Sequence, residues 1–578
     1  MRKTSCKIII NFSNETVRDD SVPTSSKSLS FADIGNVKIE NNTVSNYATL
    51  ELNQFCLDGT QQFMPEVKED AGFCLVSSQL SDNNCVILDA EKPVIYVTFP
   101  DPVTTNGFSF SFKDAFPQKI RIKWFDSNNV LITDMNFTTD NRDFFTCINK
   151  VSGFKKAEIY FINATFPQSR IKVENMDFGI KVIQNKESIS SATVLEELNM
   201  ISSELSINKF TFTLFNNDDS FNLLNPKGFY QYIEPGSKVA VIETVNGVDK
   251  NMGTFYLDKF DTKNENEISF NTIDAIGRIG KTNFKKGKIY TGETLEQVVG
   301  EIMTSADFTS YTISDELKPI PIYGYIPVCT HREALQQVCF ANRAVADCSR
   351  SDKINIYRIS STPESRIEQN RVFENGSSIK LKENISDISI TTHRYVKETE
   401  ASTIFEGNLN AGINEIEFTN PTTELTVNGA TVVDSGLNFV RVNVPSYQNV
   451  VISGKIYNDS KVVYNKSYDG LKNNTLKISN ATLVTEENIA LVLDNAFNYY
   501  GLRREAEQEY ILEAEKVGKW YNLVSKLGFI VSGGIESQSI DLVNGFLSTA
   551  RLVGYNAYNS DTIFTGVELY TGEEIGEI

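Results

Sequence analysis

The sequence is poor in the residues on which most enzymes and metal sites depend. Two histidines, two tryptophans and eight cysteines occur in 578 residues. No apolar run approaches the ~20 residues that a membrane-spanning helix needs. The apolar stretch Ile8–Ile10 is too short for the centre of a signal peptide and ends at polar Asn11. We therefore expect a protein made in the cytoplasm, with neither a membrane span nor a secretion signal.

The cysteines are spread over positions 6, 56, 74, 85, 147, 329, 339 and 348. In a long chain without a secretion signal, this pattern favours isolated buried thiols over a disulfide framework. The one loose cluster of metal-ligating residue types is Cys329, His331, Cys339 and Cys348. Its spacing matches no zinc ribbon or finger, and Cys339 falls on the apolar face of a predicted helix. The sequence thus predicts no metal site.

The two histidines, His331 and His393, are distant in sequence. A serine or cysteine nucleophile needs a nearby base, usually a histidine that a carboxylate orients. His331 lies in the first turn of a predicted helix, where a solvent-facing or capping role is expected, and His393 lies in a polar stretch. The chain contains no G-x-S-x-G turn and no papain-like cysteine sequence. We therefore predict no catalytic residues.

Two further segments resemble ligand-binding motifs but lack residues that those motifs require. The run Gly277–Thr282 resembles a phosphate-binding loop, but Ala275 stands where that loop requires its first glycine. The run Asn216–Ser220 lacks the turn glycine and the bidentate glutamate of an EF-hand, so a polar turn is expected. No cofactor-binding residue is predicted. The 74 acidic residues leave open a glycosidase that uses two carboxylates and nothing else.

Charge and composition indicate an acidic, ordered protein. The formal net charge is −19, and no basic cluster suits phosphate binding, which argues against nucleic-acid binding. Hydrophobic residues make up 40% of the chain and aromatic residues 11%, enough for several cores. At roughly 150 residues per domain the length suggests about four domains.

Strand patterns dominate the chain. Between residues 46 and 185, short alternating segments such as Pro93–Phe99, Gly107–Phe112 and Ile120–Trp124 are separated by polar turns, including Asp126–Asn129. This spacing favours a β-sandwich. Residues 1–45 are expected to form one strand, Ile8–Phe12, followed by a polar arm.

Helical periodicity appears in three places. Thr294 with Gln297, and Thr330 with Glu333, form capping-box patterns ahead of apolar positions at helical spacing. A third helix is predicted around Ile489–Tyr500, with Gly501 where a C-cap is expected. The chain is therefore mainly β, with one α/β segment.

Several segments, in this order, resemble the tail and baseplate hub proteins of phages, prophages and tail-like bacteriocins of low-GC Gram-positive bacteria. They span about residues 190–556 and are Phe215–Pro226, Tyr232–Val239, Met252–Leu257, Gly324–Gln337, Asp347–Arg350, Glu515–Gly518, Gly534–Ser537 and Asp541–Gly545. None is a catalytic signature, so the specificity of the resemblance lies in their order.

The resemblance implies a multidomain fold with hub-type β-barrels. It divides the chain into an N-terminal strand and arm (1–45), a β-sandwich similar to jelly rolls or discoidin domains (46–185), a hub β-barrel domain (186–290), an α/β insertion (291–360), a β-domain (361–480), and a helix plus strands that close the hub (481–578).

The resemblance also implies a structural, non-enzymatic role on a virion or bacteriocin particle. A homotrimeric ring around the tail axis would contact the tail tube, a spike or tip protein and other baseplate proteins, in a phage tail, a tailocin or another contractile injection system. Proteins of the resembled family often continue into a peptidase or lysozyme domain. Because this sequence stops at Ile578, we expect the structural role. Two alternatives stay open: a baseplate component that binds a receptor or cell-surface glycan through residues 46–185, and a cell-wall hydrolase.

Overall fold

A computed structural model describes most of the chain. The described residues are 2–13, 15–26, 30–32, 34–38, 44, 51, 74–87, 91–140, 143–216, 232–233, 235–264, 266–373, 377–383, 385–468, 474–525, 530–557, 562–565 and 568–571. The chain divides into two compact units, which we call the N-terminal unit (Ile8–Gln184 with Asn217–Ala240) and the main unit (Met1–Lys7, Asn185–Asn216 and Val241–Ile578). Residues 217–220 of the expected polar turn lie outside the described residues.

The N-terminal unit is built on antiparallel strands. Its elements are β1 (Thr4–Ser13), α1 (Glu15–Asp20), β2 (Val22–Ser25), β3 (Ser30–Ala32), a 3-10 turn (Ile34–Lys38), β4 (Leu75–Ser77), β5 (Ile95–Phe112), β6 (Lys119–Phe125), β7 (Leu131–Thr138), β8 (Phe144–Phe161), β9 (Lys172–Asp177) and β10 (Gly179–Gln184). One sheet has the order β3-β4-β9-β5-β8-β6-β7, and β2 also pairs with β5. Residues Ile8–Ser13 of β1 pair with β10.

The N-terminal unit confirms several strand predictions and corrects others. Pro93–Phe99 and Gly107–Phe112, predicted as two strands, are joined in the single strand β5, whose pairing with β8 shifts register between Thr98 and Gly107. The predicted turn at Asp126–Asn129 is present, since the Asp126 carboxylate accepts hydrogen bonds from the backbone N–H groups of Asn128 and Val130. The helix α1 stands where a polar arm was expected.

The core of the N-terminal unit is aromatic. Phe108 stacks on Trp124 with ring centroids 6.2 Å apart, and Phe154 and Phe178 meet Phe108 edge-on. All four rings are buried. Offset and edge-on contacts of this kind add to the stabilisation that burial itself provides.

The main unit begins with strands and continues into the α/β segment. Its first elements are β11 (Ile189–Glu197), β12 (Lys209–Phe215), β13 (Lys238–Val245, of which Val241–Val245 belong to this unit), β14 (Val248–Asn264), β15 (Glu267–Ile273), α2 (Ala275–Ile279), β16 (Asn283–Phe284), β17 (Ile289–Thr294), α3 (Leu295–Ser305), β18 (Tyr311–Ile313), β19 (Pro321–Tyr325), β20 (Cys329–Thr330), α4 (His331–Ala341), β21 (Val345–Asp347) and β22 (Ile354–Tyr357). Both predicted capping boxes are confirmed at the N-termini of α3 and α4.

The second half of the main unit returns to strands. Its elements are β23 (Ser365–Ile367), a 3-10 turn (Gln369–Arg371), β24 (Ser378–Leu381), β25 (Asp387–Lys397), β26 (Ser402–Leu409), β27 (Gly412–Glu417), β28 (Thr422–Asn428), β29 (Thr431–Ser435), β30 (Phe439–Val444), β31 (Gln448–Ser467), β32 (Thr475–Ile478), α5 (Ile489–Tyr500), β33 (Arg504–Ile511), β34 (Trp520–Val524), β35 (Ile530–Asp541), β36 (Leu547–Ala557), β37 (Thr562–Thr565) and β38 (Glu568–Thr571). The helix α5 and its C-cap at Gly501 are confirmed.

Strands from both ends of the main unit share one sheet. Its order is β14-β15-β12-β11-β35-β36-β33-β24, and β34 pairs with both β23 and β35. The β11–β35 pairing therefore joins residues near 195 to residues near 539. The expectation of a mainly β, multidomain fold is confirmed. Among the described residues, no helix is long and apolar enough to cross a membrane.

Candidate functional site

His331 is buried in the α/β segment, which corrects the expectation of a solvent-facing or capping residue. Its Nδ1 lies 2.8 Å from the hydroxyl of Thr282, and its Nε2 lies 3.0 Å from the hydroxyl of Ser305. Burial lowers the pKa of His331. His331 is 1% exposed, whereas its partner Ser305 lies at the surface. The histidine anchors the start of α4.

His393, on β25, is also buried. Its Nδ1 lies 2.8 Å from the carboxylate of Asp459, and its Nε2 lies 3.1 Å from the carbonyl oxygen of Ser479. A histidine oriented by a carboxylate can activate a nucleophile only through its second nitrogen. In His393 that nitrogen faces a backbone carbonyl, so the pair has a structural role.

The cysteines near His331 do not form a metal site. Cys339 and Cys348 are buried and Cys329 is half-buried, and all three are free thiols. Burial raises the pKa of Cys329 and of Cys339 to about 12, so both thiols are protonated at neutral pH. Among the residues that the structure describes, no group of three or more His, Cys, Asp or Glu side chains is placed to hold a metal.

The glycine-rich run Gly277–Thr282 also has a local structural role. Gly277 lies in the five-residue helix α2, and the carboxylate of Asp274 caps that helix by accepting a hydrogen bond from the Gly277 N–H at 2.9 Å. The ammonium of Lys281 pairs with Asp258. The run therefore lacks the wrapped loop and the long following helix of a phosphate-binding site.

Two buried carboxyl groups have the pKa that a general acid requires. Burial raises the pKa of Glu243, on β13, and of Asp274 to about 7 in each case. Both side chains are buried, and the Asp274 carboxylate already accepts bonds from the N–H groups of Gly277 and Asn208. Because a glycosidase needs two carboxyl groups on either side of an accessible sugar, these two groups do not form such a site.

The most developed polar cluster of the main unit surrounds Arg350. We call it the Arg350 network and define it by seven residues whose side chains are partly or fully buried: Glu196, Asp347, Arg350, Arg371, Glu515, Lys516 and Gln538. Its centre is the Arg350 guanidinium, which binds both carboxylate oxygens of Glu196 at 2.9 and 3.2 Å. The same guanidinium donates to the carbonyl oxygen of Glu515 at 2.6 Å and contacts the amide oxygen of Gln538 at 3.3 Å.

The segment at Glu515 is held from both sides. Arg371 donates to the Glu515 carboxylate at 2.7 Å and to the carbonyl oxygen of Ile511 at 2.8 Å. The ammonium of Lys516 lies 3.0 Å from the buried carboxylate of Asp347. Three cationic side chains therefore compensate the three buried carboxylates of this network.

The buried charges of the Arg350 network are stabilised only while each one keeps its partner. Burial raises the pKa of Glu196, while Arg350 opposes that shift, and the Glu196 carboxylate in turn raises the pKa of Arg350. Charges removed from water are tolerated when their hydrogen bonds are complete, and a charge left without its partner is strongly destabilising. The network therefore favours one arrangement of the strands that carry it.

Backbone geometry reinforces this arrangement at two positions. Arg350 has a positive φ of 51°, which is uncommon for a residue with a side chain. Gly518 has a φ of +73°, and a Cβ there would lie 2.5 Å from Leu198 and 2.6 Å from the Tyr357 hydroxyl. Arg350 and Gly518 each end a segment whose sequence resembles tail hub proteins. These segments are Asp347–Arg350 and Glu515–Gly518.

Sequence reasoning located parts of this site but not the site itself. The motifs containing Arg350 and Glu515 are among the segments that resemble tail hub proteins, and Gln538 follows the motif that ends at Ser537. Glu196 and Arg371 carried no sequence signal. Their partners lie 154 and 144 residues away along the chain, so no local pattern could identify the pairs.

The N-terminal unit offers little exposed aromatic surface. Trp124 is fully buried, and on the outer side Tyr160 and Phe125 lie beneath the ammonium groups of Lys123 and Lys156, at 5.0 and 5.1 Å from the ring centroids. Among the described residues of this unit, Phe166 is the one strongly exposed aromatic side chain. The described surface thus shows no row of open rings for a sugar.

Comparisons with known proteins gave structural neighbours of low similarity. No family model matches the chain, and no curated protein matches it. A tail protein from Neisseria meningitidis aligns with a TM-score of 0.39 at 11% identity, covering 64% of this chain and 93% of its own. A prophage MuSo2 tail protein from Shewanella oneidensis aligns with a TM-score of 0.37 at 12% identity, covering 64% and 95%.

A prophage tail protein from Listeria monocytogenes aligns with a TM-score of 0.37 at 9% identity, covering 66% of this chain and 92% of its own. At TM-scores this low, these similarities assign neither the fold nor the function of this chain.

Proposed function

We propose that this protein is a structural, non-enzymatic component of a phage tail or phage-tail-like bacteriocin, placed at the baseplate hub. In this role it forms a homotrimeric ring on the tail axis, between the tail tube and a spike or tip protein. The proposal does not rest on the low structural similarity described above.

The observation that carries the proposal is that sequence motifs distant along the chain meet in the Arg350 network. Asp347–Arg350 supplies the central guanidinium, Glu515–Gly518 supplies a carboxylate and an ammonium group, and β35, which contains Gly534–Ser537, supplies Gln538. Each motif thus has a mechanical role, because the network ties the loops after β21 and β33 to the paired strands β11 and β35. A ring that transmits force along a tail needs such stiffness and no cofactor.

Charge also suits this role. With a formal net charge of −19, the surface is unfavourable for phosphate backbones, which helps DNA to pass through a tail lumen without being retained. Assembly by closed rotational symmetry is the usual route to such rings. We propose a particle-bound location, with assembly in the bacterial cytoplasm before release.

The test is to locate the protein in purified particles by cryo-electron microscopy, with its mass in solution measured by light scattering after gel filtration. We expect three-fold density on the tail axis that accommodates the main unit. Protein found on peripheral fibres alone, or absent from particles, would overturn the proposal. A matched chain with Arg350→Met tests the role of the network, since we expect it to reduce incorporation into particles far more than the exposed change Arg441→Ala.

A further inference from the structure

The edge strand β7 of the N-terminal unit carries an unusual exposed apolar surface. β7 ends the order of its sheet, and among the described strands only β6 pairs with it. Four large apolar side chains are exposed at or beside it: Val130 (60%), Leu131 (48%), Ile132 (43%) and Met135 (39%). A free strand edge offers unpaired N–H and C=O groups to another strand.

Residues that normally protect a free edge are absent from β7. The strand contains no proline, lysine or arginine, and its one charged residue is Asp134. That carboxylate is already neutralised by the guanidinium of Arg121, through two hydrogen bonds of 2.8 and 2.7 Å. The edge is therefore both apolar and electrically neutral, in a chain whose overall charge is strongly negative.

The backbone hydrogen bonds between β6 and β7 show which residues of β7 direct their N–H and C=O groups to the free edge. At the end of the β6–β7 hairpin away from the turn, the Thr139 N–H donates to the carbonyl of Gln118, and the register is unbroken from Lys119–Thr138 to Trp124–Thr133, before a bulge near Leu131. Since backbone groups alternate sides along a strand, Phe137 and Met135 bond toward β6. Asp134, Asn136 and Thr138 then direct their backbone N–H and C=O groups to the free edge.

From this pattern of hydrogen bonds we propose that β7 pairs antiparallel with β7 of a second copy of this chain, about a two-fold axis at Met135. In this register Asp134 lies opposite Asn136 of the second copy, and Met135 lies opposite its own equivalent. Shifting the axis by one residue to Asp134 would place the two Asp134 carboxylates directly opposite each other, which is less favourable than an amide opposite each carboxylate even though each is paired with Arg121. Shifting it to Asn136 shortens the overlap of the two strands.

The self-complementary register of β7 favours a second copy over other partners. Two chains of charge −19 repel each other, and an edge without net charge adds no local repulsion to that. A two-fold contact is isologous, so both copies use the same residues. Because three copies of one ring cannot all pair with one another through two-fold contacts, the pairing joins copies from separate rings or copies outside a ring, and it does not depend on the three-fold contacts.

The test is site-specific crosslinking of the full-length chain. Across the proposed axis the two Met135 residues form a non-hydrogen-bonded pair with Cα atoms about 4.5 Å apart, within the range that a disulfide spans. Under a mild oxidant that accepts two electrons and two protons per bond, Met135→Cys should form a disulfide-linked dimer. The matched control is Asn136→Cys, whose two copies would lie about 8 Å apart across the axis, too far to bridge without backbone movement.

We expect several-fold more linked dimer from Met135→Cys than from Asn136→Cys or from the unaltered chain, which controls for its natural thiols. A second variant, Asn136→Pro, removes an outward N–H without breaking the β6–β7 bonds and should abolish self-association through this edge in light scattering. Equal crosslinking at both cysteines, no crosslinking at either, or crosslinking of Met135→Cys to a different protein in particles would overturn the proposal. Three-fold density on the tail axis would be unaffected by any of these outcomes.

Discussion

The interiors of the two units hold their strands together by different means. The N-terminal unit packs Phe108, Trp124, Phe154 and Phe178 against one another, with no charged group among these rings. The main unit instead uses the Arg350 network to hold loops and β21 against the strands β11 and β35. Apolar packing depends on volume and tolerates substitutes of similar size, whereas ion pairs depend on direction and complete partnership. The difference predicts that the main unit is the less tolerant of single substitutions at its network.

The chain provides a separate reporter for each unit. Its two tryptophans are Trp124 in the N-terminal unit and Trp520 in the main unit, and both are buried. In a Trp124→Phe background the fluorescence of Trp520 follows the main unit, and in a Trp520→Phe background Trp124 follows the N-terminal unit. Urea titrations can therefore assign each change in stability to one unit.

The largest effect is expected from Arg350→Met. Removing the guanidinium leaves Glu196 buried without its partner, so the free energy of unfolding of the main unit should fall by about 3–5 kcal/mol. Urea titration with Trp520 fluorescence measures this loss. The exposed pair between Arg441 and Glu415 provides the control, since Arg441→Ala should cost less than about 1 kcal/mol.

If Arg350→Met costs no more than Arg441→Ala, the network does not stabilise the main unit in the way described. Combining Arg350→Met with Glu196→Leu sharpens the test. This double variant removes both charges, and it should recover part of the lost stability because no buried charge is then left without a partner.

An intermediate, pH-dependent effect is expected from Glu243→Gln. In the folded chain Glu243 keeps its proton up to about pH 7, compared with about 4.5 for an unperturbed carboxyl group. A raised pKa means that its contribution to stability is complete below pH 4.5 and is lost as the pH rises toward 7. At about 1.4 kcal/mol per pKa unit, the loss amounts to roughly 3 kcal/mol.

Glu243→Gln should remove this part of the pH dependence, as measured by urea titration of Trp520 fluorescence between pH 4.5 and 7.5. The exposed change Glu400→Gln should leave the profile unaltered. A profile for Glu243→Gln that still falls as steeply as that of the unaltered chain would contradict the assignment. The buried Asp274 acts in the same direction and is unchanged in both variants.

The smallest effect is expected in the aromatic core. Phe108→Leu keeps an apolar side chain of similar size, so the N-terminal unit should lose about 1–2 kcal/mol, as followed by Trp124. The transition of Trp520 should not move, because Phe108 belongs to the other unit. A loss as large as that of Arg350→Met would show that the two interiors do not differ in tolerance.

Local elements were predictable wherever the signal lies within one turn or one strand. The capping boxes at Thr294 and Thr330, the amphipathic helix ending at Gly501 and the strand over Ile120–Trp124 all agree with the structure. Errors arose where tertiary contacts override local pattern. His331 is polar and begins a helix, which suggested exposure, but the hydroxyls of Thr282 and Ser305 make its burial favourable.

The sequence by itself determined the class of fold, the N-termini of α3 and α4, the C-terminus of α5 and the shortage of residues for nucleophilic or metal chemistry. These follow from composition and from interactions between residues a few positions apart. Tertiary structure alone decided that Arg350 meets Glu196 and Gln538, which lie 154 and 188 residues away, and that β7 stands at the edge of its sheet. The physical reason is that ion pairing and strand order depend on distance in space, which no short stretch of sequence encodes.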